Sequence, residues 1–456
     1  MSSGPERPAA PYAVLRARHP ELVYEGYGIE ETPAAYRFAF HFALANGPAF
    51  RPTLEVPRPA GESLPRPLLE NLAFHVGLIE AVSYWKAACP PVFRIRAGAL
   101  DAAQVAWWKN LWFHGLGEFF YRNGLAPDAE EFVRFEIESD RVHAPAACAV
   151  GEGNLVPVGG GKDSLVTLRL LEPWRDRNRC FLLNPTRAQE ESARLCGYGP
   201  EAVIAARRTL DPALLALNKE GYLNGHTPFS ALLGFTAVLA AAVHGLRRVV
   251  LSNEASASEP TVAGTEVNHQ WSKGWEFERG FAAYVHERLT PSVDYFSLLR
   301  PWSELRIARR FAADEAALAV FRSCNVGSKD DRWCGACPKC LFVDVLLAPF
   351  VGASRRAALF GGTSPLDRPE LFPVLEELAG FTPAKPFECV GTVEEVRAAL
   401  TLAGRHALRS GQHPFLLGRL AAAHPGFEVP PERIEALLAA SPAPHGVPPE
   451  FAALVS

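Results

Sequence analysis

Hydrophobic and polar residues alternate with two different periodicities over the first third of the chain, one typical of strands and one typical of helices. Aromatic residues at alternate positions of 36–43 predict a strand, and the run Phe-Val-Arg-Phe-Glu-Ile at 132–137 predicts another. Between them, 68–89 and 101–123 are apolar at helical spacing. The second of these stretches is rich in aromatic residues, which at this spacing usually form core but can also stack nucleic-acid bases. We expect residues 1–150 to form an α+β region that recognises substrate or supports the next domain.

The next part of the chain alternates between strand-like and helix-like patterns. Residues 151–320 contain apolar β-type runs at 154–158, 179–185, 202–206, 248–253 and 295–299. Helical periodicity occupies 165–171, 188–195 and 228–244. This alternation predicts an α/β domain with a parallel sheet and helices on both faces. Ligands of such sheets bind at the carboxyl ends of the strands.

The remainder divides into a cysteine-rich segment at 321–345 and a helical region at 346–456. Helical stretches rich in alanine and leucine are predicted at 341–349, 369–378, 393–402 and 434–440. Proline-rich breaks separate them. A chain of 456 residues is expected to form two or three domains.

Composition and charge narrow the class of protein. The formal net charge is only −4 and there is no run of basic residues, which argues weakly against a nucleic-acid surface. The most apolar run, 231–243, is shorter than the about eighteen residues that span a membrane. Residues 1–11 lack the apolar centre of a signal peptide, and four of the nine cysteines are clustered. We expect a cytoplasmic protein that uses its cysteines for metal binding more than for disulfides.

The most specific motif is Val-Gly-Gly-Gly-Lys-Asp-Ser at 158–164, which joins a β-type run to a helical one. Three glycines place no Cβ between backbone N–H groups and a bound anion, and the helix N-terminus adds partial positive charge. A Walker A loop is excluded because Asp163 follows Lys162, and the dinucleotide fingerprint requires glycine where Ser164 stands. The motif predicts a phosphate-binding loop, and a glycine-rich turn without a ligand is the alternative.

This loop resembles the Ser/Gly-Gly-Gly-x-Asp-Ser loop of the PP-loop ATP pyrophosphatases. The resemblance implies cleavage of ATP to AMP and pyrophosphate, with AMP transferred to an oxygen of the substrate. By position, it implies that pyrophosphate is held by Gly159, Gly160, Gly161 and Ser164. Lys162 would balance charge, Asp163 would hold Mg²⁺, and Asn184 would line the same rim. Because Asp163 is predicted to start the helix, we also expect its replacement to remove about 1 kcal/mol of capping stability.

A polar loop follows the valine-rich strand at 248–253. It begins with Asn253 and Glu254 and continues to Val-Asn-His-Gln-Trp-Ser-Lys at 267–273. Loops at this edge of an α/β sheet usually carry chemistry, although a solvated loop can have the same composition. We assign substrate contacts to Asn253, Asn268, Gln270 and Ser272. The preferred proton-transfer candidates are His269 and Lys273. Glu254 and His226, at the start of a predicted helix, are further candidates.

Four cysteines are spaced as metal ligands. Nine residues separate the first two, and two residues lie in each later interval, in the order Cys324, Cys334, Cys337 and Cys340. Four thiolates suit a structural, tetrahedral Zn²⁺, and a strained disulfide or reactive thiol pair is the alternative. The spacing resembles the zinc site of 7-cyano-7-deazaguanine synthases, a PP-loop subfamily. The other cysteines show no ligand spacing and are expected to be small buried apolar residues, namely Cys89, Cys148, Cys180, Cys196 and Cys389.

Taken together, these motifs resemble the UDP-N-acetylmuramoyl-L-alanyl-L-glutamate epimerases of bacterial cell-wall synthesis. The set includes Asn-Gly-His-Thr-Pro-Phe-Ser at 224–230 and Leu-Ser-Asn-Glu at 251–254. The resemblance implies that ATP and Mg²⁺ are used to turn a terminal L-glutamate into D-glutamate, with release of AMP and pyrophosphate. An acyl-adenylate removes the carboxylate charge, so a general base can take the α-proton. Candidates for binding the diphosphate of UDP are Arg207, Arg208 and Arg300.

Other functions remain open from the sequence. A nitrile synthase or amide ligase of the same superfamily would use ammonia and need no proton-transfer pair. A tRNA-thiolating enzyme would use cysteines in catalysis. The negative net charge argues against binding of tRNA, and the spacing of the four cysteines is that of metal ligands, which argues against catalytic cysteines. A nucleotide-binding regulator would not need the Asp163-Ser164 pair. We expect a small-molecule substrate, with neither nucleic acid nor membrane as a partner.

Overall fold

The computed structural model describes residues 12–61, 63–441 and 443–456, which form a mixed α/β structure. The chain forms two compact units, each assembled from segments that are separate in sequence. Unit 1 comprises Met1–Gly153, Ile204–Arg248 and Phe281–Asp294. Unit 2 comprises Asn154–Val203, Val249–Gly280 and Tyr295–Ser456.

Strands and helices are numbered in chain order. The strands are β1 (Glu21–Glu31), β2 (Ala35–Leu44), β3 (Ala49–Phe50), β4 (Thr53–Pro57), β5 (Val92–Ile95), β6 (Arg134–Ile137), β7 (Gly151–Pro157), β8 (Asn178–Leu183), β9 (Val203–Thr209), β10 (Leu246–Leu251) and β11 (Asp294–Ser297). The helices are α1 (Tyr12–Arg18), α2 (Arg66–Trp85), α3 (Ala102–Gly115), α4 (Gly117–Arg122), α5 (Lys162–Leu170), α6 (Arg187–Leu195), α7 (Pro212–Lys219), α8 (Phe229–Val243), α9 (Trp275–Tyr284), α10 (Glu304–Ala312), α11 (Glu315–Val320), α12 (Pro338–Leu347), α13 (Ala353–Leu359), α14 (Phe372–Leu378), α15 (Val393–Ser410), α16 (Phe415–Ala423), α17 (Pro431–Leu438) and α18 (Ala452–Val455).

Unit 1 is built on a mixed sheet with the strand order β9-β4-β2-β1-β5-β6 and β3 beside β2. The pairs β1–β2, β2–β4 and β4–β9 are antiparallel, whereas β1–β5 and β5–β6 are parallel. Helix α2 packs against β1, β2 and α8. The aromatic stripe at 101–123 forms core as predicted, with Trp108 and Trp112 fully buried, although Tyr121 is exposed.

Unit 2 contains strands in the order β11-β10-β7-β8. Strands β7 and β8 pair in parallel, so their carboxyl ends meet at one edge of the sheet. Helix α5 packs against α10, and α12 packs against both α10 and α15. One hydrophobic core joins the strands to the C-terminal helices, because residues from β7, α5, α12, α15 and α16 belong to the same buried cluster.

Several elements differ from the sequence predictions. The predicted helix at 101–123 is divided at Leu116 into α3 and α4. Strand β1 was not predicted, because its polar residues and glycines interrupt the alternation of apolar and polar positions. It has eleven residues and a bulge between Tyr24 and Gly26. Helix α15 continues beyond 402 to Ser410, where Gly411 in the left-handed conformation ends it. Within the described residues, no helix has both the length and the apolar character needed to cross a membrane.

Candidate active site

The glycine-rich loop connects β7 to α5 in unit 2. Gly160 has φ +78°, and a Cβ there would lie 3.1 Å from Ala188 atoms and from the Gln189 nitrogen, so this position requires glycine. Gly159 is exposed, with open space where its side chain would be. Gly161 is the N-cap of α5 and provides no side-chain cap. The loop therefore presents backbone and a helix N-terminus in an arrangement that suits an anion.

The expected capping role of Asp163 is wrong. The cap position is Gly161, and Asp163 lies in the first turn of α5, where its carboxylate pairs with Lys162 instead of a backbone N–H of that helix end. Ser164 donates its hydroxyl hydrogen bond to the Gly161 carbonyl at 3.1 Å. A charge effect on the helix dipole remains, but the hydrogen-bonded cap that the sequence suggested is not formed.

Three carboxylates gather around Lys162. Asp163, Glu254 and Glu304 each offer an oxygen, and these atoms lie within 4.8 Å of one another. Lys162 Nζ is 2.5 Å from Asp163 and also contacts Glu304. Burial disfavours the ammonium, but Asp163 and Glu304 outweigh it and raise the pKa of Lys162. Burial, assisted by the other two carboxylates, raises the pKa of Glu304, which indicates a site crowded with negative charge.

Sequence reasoning missed Glu304. It is the first residue of α10, where Ser303 provides the N-cap by accepting from the Arg306 nitrogen at 3.0 Å. A serine-glutamate pair at a helix start is typical of an ordinary cap, so its sequence gave no sign of a site role. The backbone nitrogen of Glu304 donates to Glu395 Oε1 at 2.8 Å, which fixes the start of α10 against α15.

A second cluster joins the two preferred proton-transfer candidates through an unexpected cysteine. Lys273 Nζ donates to Cys389 Sγ at 3.1 Å, and His269 Nε2 lies 3.9 Å from the same sulfur. The expectation that Cys389 is a buried apolar residue is wrong, because it is half-buried and contacts polar groups. Lys339, from the cysteine-rich segment, donates to the Cys389 carbonyl.

The charges around this sulfur favour its thiolate form. Burial raises the pKa of a thiol, but the Lys273 ammonium, the His269 hydrogen bond and Lys339 outweigh burial and lower the pKa of Cys389 to about 5. Burial likewise disfavours the charge on Lys273, yet Cys389 and Glu254 raise its pKa, with a smaller contribution from Asp163. The sulfur cluster and the carboxylates therefore belong to one electrostatic site.

The amides assigned to the substrate hold the polar loop together. Asn253 donates to Ser297 Oγ at 3.1 Å, and Asn268 donates to the Ala257 carbonyl at 2.9 Å. Gln270 donates to the Val390 carbonyl at 2.9 Å and so ties the loop to the segment that carries Cys389. These three side chains and Ser272 are buried. The structure gives the amides a supporting role, and direct contact with substrate stays a prediction.

The remaining predicted residues make other contacts. Asn184 follows β8 and is exposed, with φ +54°, a conformation that asparagine tolerates well. His226 belongs to unit 1, where its Nδ1 lies 3.5 Å from Glu118. Arg208 forms a two-pronged pair with Glu80, and Arg207 is exposed.

Arg300 binds the backbone of the polar loop. Its guanidinium pairs with Glu278 at 2.7 Å and donates to the carbonyls of Glu254 and Lys273, each at 2.5 Å. Both members of the ion pair are almost fully buried. Arg300, which the sequence suggested as a ligand of the UDP diphosphate, thus positions Glu254 and Lys273.

The four clustered cysteines also lie in unit 2, and each offers a sulfur within 4.8 Å of the others. The Sγ–Sγ distances are 3.9 Å for Cys324–Cys337, 3.7 Å for Cys334–Cys340 and 3.4 Å for Cys337–Cys340. These distances exceed the about 2.05 Å of a disulfide, and all four thiols are free. The backbone nitrogens of Gly327 and Cys334 lie 3.2 and 3.4 Å from Cys324 Sγ. The group could hold one tetrahedral metal ion.

Comparison with known proteins identifies the family. Two family models match the chain, the MurL N-terminal domain at residues 15–298 and the MurL C-terminal domain at residues 320–429. UDP-N-acetyl-alpha-D-muramoyl-L-alanyl-L-glutamate epimerase from Xanthomonas oryzae pv. oryzae (strain MAFF 311018) is 40% identical over 338 residues, covering 72% of this chain and 74% of that relative. No solved structure matches.

Two further relatives carry the same name. The protein from Salinispora tropica is 41% identical over 337 residues, covering 72% of both chains. The protein from Micromonospora sp. is 41% identical over 334 residues, covering 71% of this chain and 73% of that relative. This identity extends over most of each chain and agrees with both family models. The chain therefore belongs to the family of UDP-N-acetyl-α-D-muramoyl-L-alanyl-L-glutamate epimerases.

Proposed function

We propose that this protein is an ATP-dependent isomerase of peptidoglycan biosynthesis. ATP converts the terminal L-glutamate carboxylate of UDP-N-acetylmuramoyl-L-alanyl-L-glutamate to an acyl-adenylate with release of diphosphate, and the α-carbon is then inverted. Water attacks the acyl carbon of the D-glutamyl adenylate and releases D-glutamate and AMP. The names of the relatives supply the substrate and the stereochemical change. The glycine loop supplies the reason to expect ATP. The free thiols and the nucleotide-linked substrate suit a cytoplasmic enzyme.

The observation that carries this proposal is that unit 2 contains the glycine loop, the three carboxylates and the contact between Lys273 and Cys389. Backbone N–H groups at 159–162 would hold phosphate oxygens. Asp163, Glu254 and Glu304 are the hard oxygen ligands that Mg²⁺ prefers. Asp163 and Glu254 both raise the pKa of Glu304, so the three carboxylates repel one another, and a divalent ion held between them would relieve this repulsion.

Activation of the carboxylate explains why ATP and proton transfer occur in one site. A Cα–H beside a carboxylate is a very weak acid, because its carbanion would carry a second negative charge. When bound, ATP supplies the adenylyl group that removes this charge. The Lys273 ammonium can then stabilise negative charge on the activated carbonyl, and His269 can carry protons between the site and solvent.

We also propose that Cys324, Cys334, Cys337 and Cys340 hold a structural Zn²⁺. Tetrahedral Zn²⁺ with Zn–S bonds of about 2.3 Å places its sulfurs about 3.8 Å apart. The Cys324–Cys337 distance of 3.9 Å and the Cys334–Cys340 distance of 3.7 Å are close to this value, and the Cys337–Cys340 distance of 3.4 Å is shorter. Four cysteine ligands leave no open position for catalysis. The two N–H groups directed at Cys324 Sγ suit a metal-bound thiolate.

The proposal is tested with the purified protein, the UDP-muramoyl dipeptide, Mg²⁺ and ATP in deuterated water. We expect D-glutamate with deuterium at Cα, together with AMP and pyrophosphate, and no requirement for a pyridoxal cofactor. Omitting ATP should abolish the conversion. The absence of ATP-dependent D-glutamate, or D-glutamate without the label, would contradict the proposed function.

A further inference from the structure

We propose that Cys389 is the group that removes the proton from the glutamate Cα, as a thiolate held by Lys273 and His269. The role rests on the proposed epimerase function and adds a catalytic residue that no motif in the sequence indicates. It also explains why the Cys389 sulfur contacts both Lys273 and His269.

The position of the sulfur is fixed from several sides. Lys273 lies in the short 3-10 helix Trp271–Lys273, and its carbonyl is bound by Arg300. On the other side, Lys339 binds the Cys389 carbonyl, and Gln270 binds the next carbonyl along the chain. A general base must be held within a narrow range of positions, and these hydrogen bonds restrict the position of Cys389 in this way.

The electrostatic surroundings keep the sulfur ionised near neutral pH, so it is able to accept a proton. Besides Lys273 and His269, the charged groups that act on Cys389 include Lys339, and the neighbouring Glu388 has a pKa raised by burial. The three nitrogen groups outweigh burial, and the thiolate is the form they favour. The half-buried side chain is shielded from bulk water without being sealed from it.

The proton balance of the step is simple. The Cα–H bond breaks, an S–H bond forms on Cys389, and the electron pair moves onto the activated carboxyl oxygen. Once the sulfur is neutral, the Lys273 ammonium can pair with this enolate oxygen. A solvent-derived proton then adds to the opposite face of Cα, and Cys389 returns its proton to solvent through His269. The enzyme gains no net proton.

A nucleophilic role for the same thiolate is the main chemical alternative. Attack on the activated carboxyl would form a thioester, which also acidifies Cα–H. That path would still require a separate base at Cα, whereas proton transfer uses the sulfur, the ammonium and the imidazole as they are arranged. The geometry favours proton transfer for this reason.

The first test is Cys389→Ser in the complete protein. We expect deuterium exchange and D-glutamate formation to fall by about 10²–10⁴-fold, the usual contribution of a positioned base, while formation of AMP stays close to wild type. Cys148→Ser is the matched control, because Cys148 is another half-buried free cysteine, located in unit 1 and with a pKa raised by burial. The control should keep both activities.

The second test uses alkylation, so it does not depend on the folding of a Cys389 variant. In wild-type protein, the rate of iodoacetamide reaction at Cys389 should rise with a midpoint near pH 5 and exceed the rate at Cys148. Lys273→Met should move the midpoint upward, because it removes the ammonium that stabilises the thiolate.

The outcomes separate the two levels of the proposal. Undiminished exchange by Cys389→Ser, alkylation no faster than at Cys148, or a trapped substrate thioester on Cys389 would each overturn the proton-transfer role while the epimerase function stands. A wild-type protein without ATP-dependent epimerisation would overturn the proposed function and this role with it.

Discussion

At the scale of single residues, Asp163 combines two roles that the sequence could not separate. It is one of three carboxylates arranged for a cation, and it is the partner of the buried Lys162. The pKa of Asp163 is lowered because Lys162 outweighs the effect of burial. Lys162 keeps Glu304 as a second partner, so we expect the loss of the Asp163 carboxylate to affect the chemistry more than the fold.

We predict that Asp163→Asn lowers the rate of AMP formation at least about 100-fold, as expected when a charged group that holds a cation at the reacting phosphates is removed. Asp176→Asn, at an exposed acid of the same unit, is the control and should leave the rate unchanged. Chromatographic measurement of AMP and ADP decides the matter. Nearly normal AMP formation by Asp163→Asn, or ADP as the wild-type product, would contradict the assignment.

At the scale of elements, Glu395 connects three parts of unit 2. It closes a capping box with Thr392 at the start of α15. Its Oε1 accepts from Ser256 Oγ at 2.7 Å and from the Glu304 nitrogen at 2.8 Å. One buried carboxylate thus aligns the polar loop with the helix that supplies Glu304.

We predict that Glu395→Ala lowers the free energy of unfolding by about 3 kcal/mol, because it leaves several buried donors without an acceptor. Glu394→Ala changes the adjacent residue, whose ion pair with Arg433 is exposed and should contribute at most about 1 kcal/mol. Urea denaturation of both variants measures the difference. Equal losses would show that the buried connections do not stabilise the fold as inferred.

The cysteine-rich segment acts at the same scale, because Lys339 lies between two of its cysteines and binds the Cys389 carbonyl. We predict one Zn²⁺ per chain by elemental analysis, and its loss together with several kcal/mol of stability in Cys337→Ser. Cys148→Ser should keep the metal. Well-folded, freshly purified protein without zinc would contradict this prediction.

At the scale of the whole molecule, the sequence predicts local elements better than it predicts the site. Periodicity and the glycine motif located β7, the loop and α5, because these features are adjacent in the chain. Cys389 lies 116 residues after Lys273, and Glu395 lies 91 residues after Glu304, so no local pattern links them. Lone residues acquire their roles through tertiary packing, which explains why Cys389 was mistaken for a core residue.

The organisation into units also depends on contacts that periodicity does not report. Both units use segments that are far apart in the sequence, including Ile204–Arg248 in unit 1 and Tyr295–Ser456 in unit 2. Hydrophobic patterns along the chain identify which faces are buried but not which segments cover them. The C-terminal region, for which the sequence offered no motif, therefore supplies Cys389 from the loop before α15 and Glu395 from α15 itself.

The central claim is that ATP activates the glutamate carboxylate before the proton moves. The most direct measurement uses substrate labelled with oxygen-18 in the terminal glutamate α-carboxyl group. Attack of this carboxylate on the α-phosphate transfers one labelled oxygen to AMP, so mass spectrometry should find labelled AMP and unlabelled pyrophosphate with D-glutamate. AMP without the label, or conversion with ADP and phosphate as products, would contradict the account.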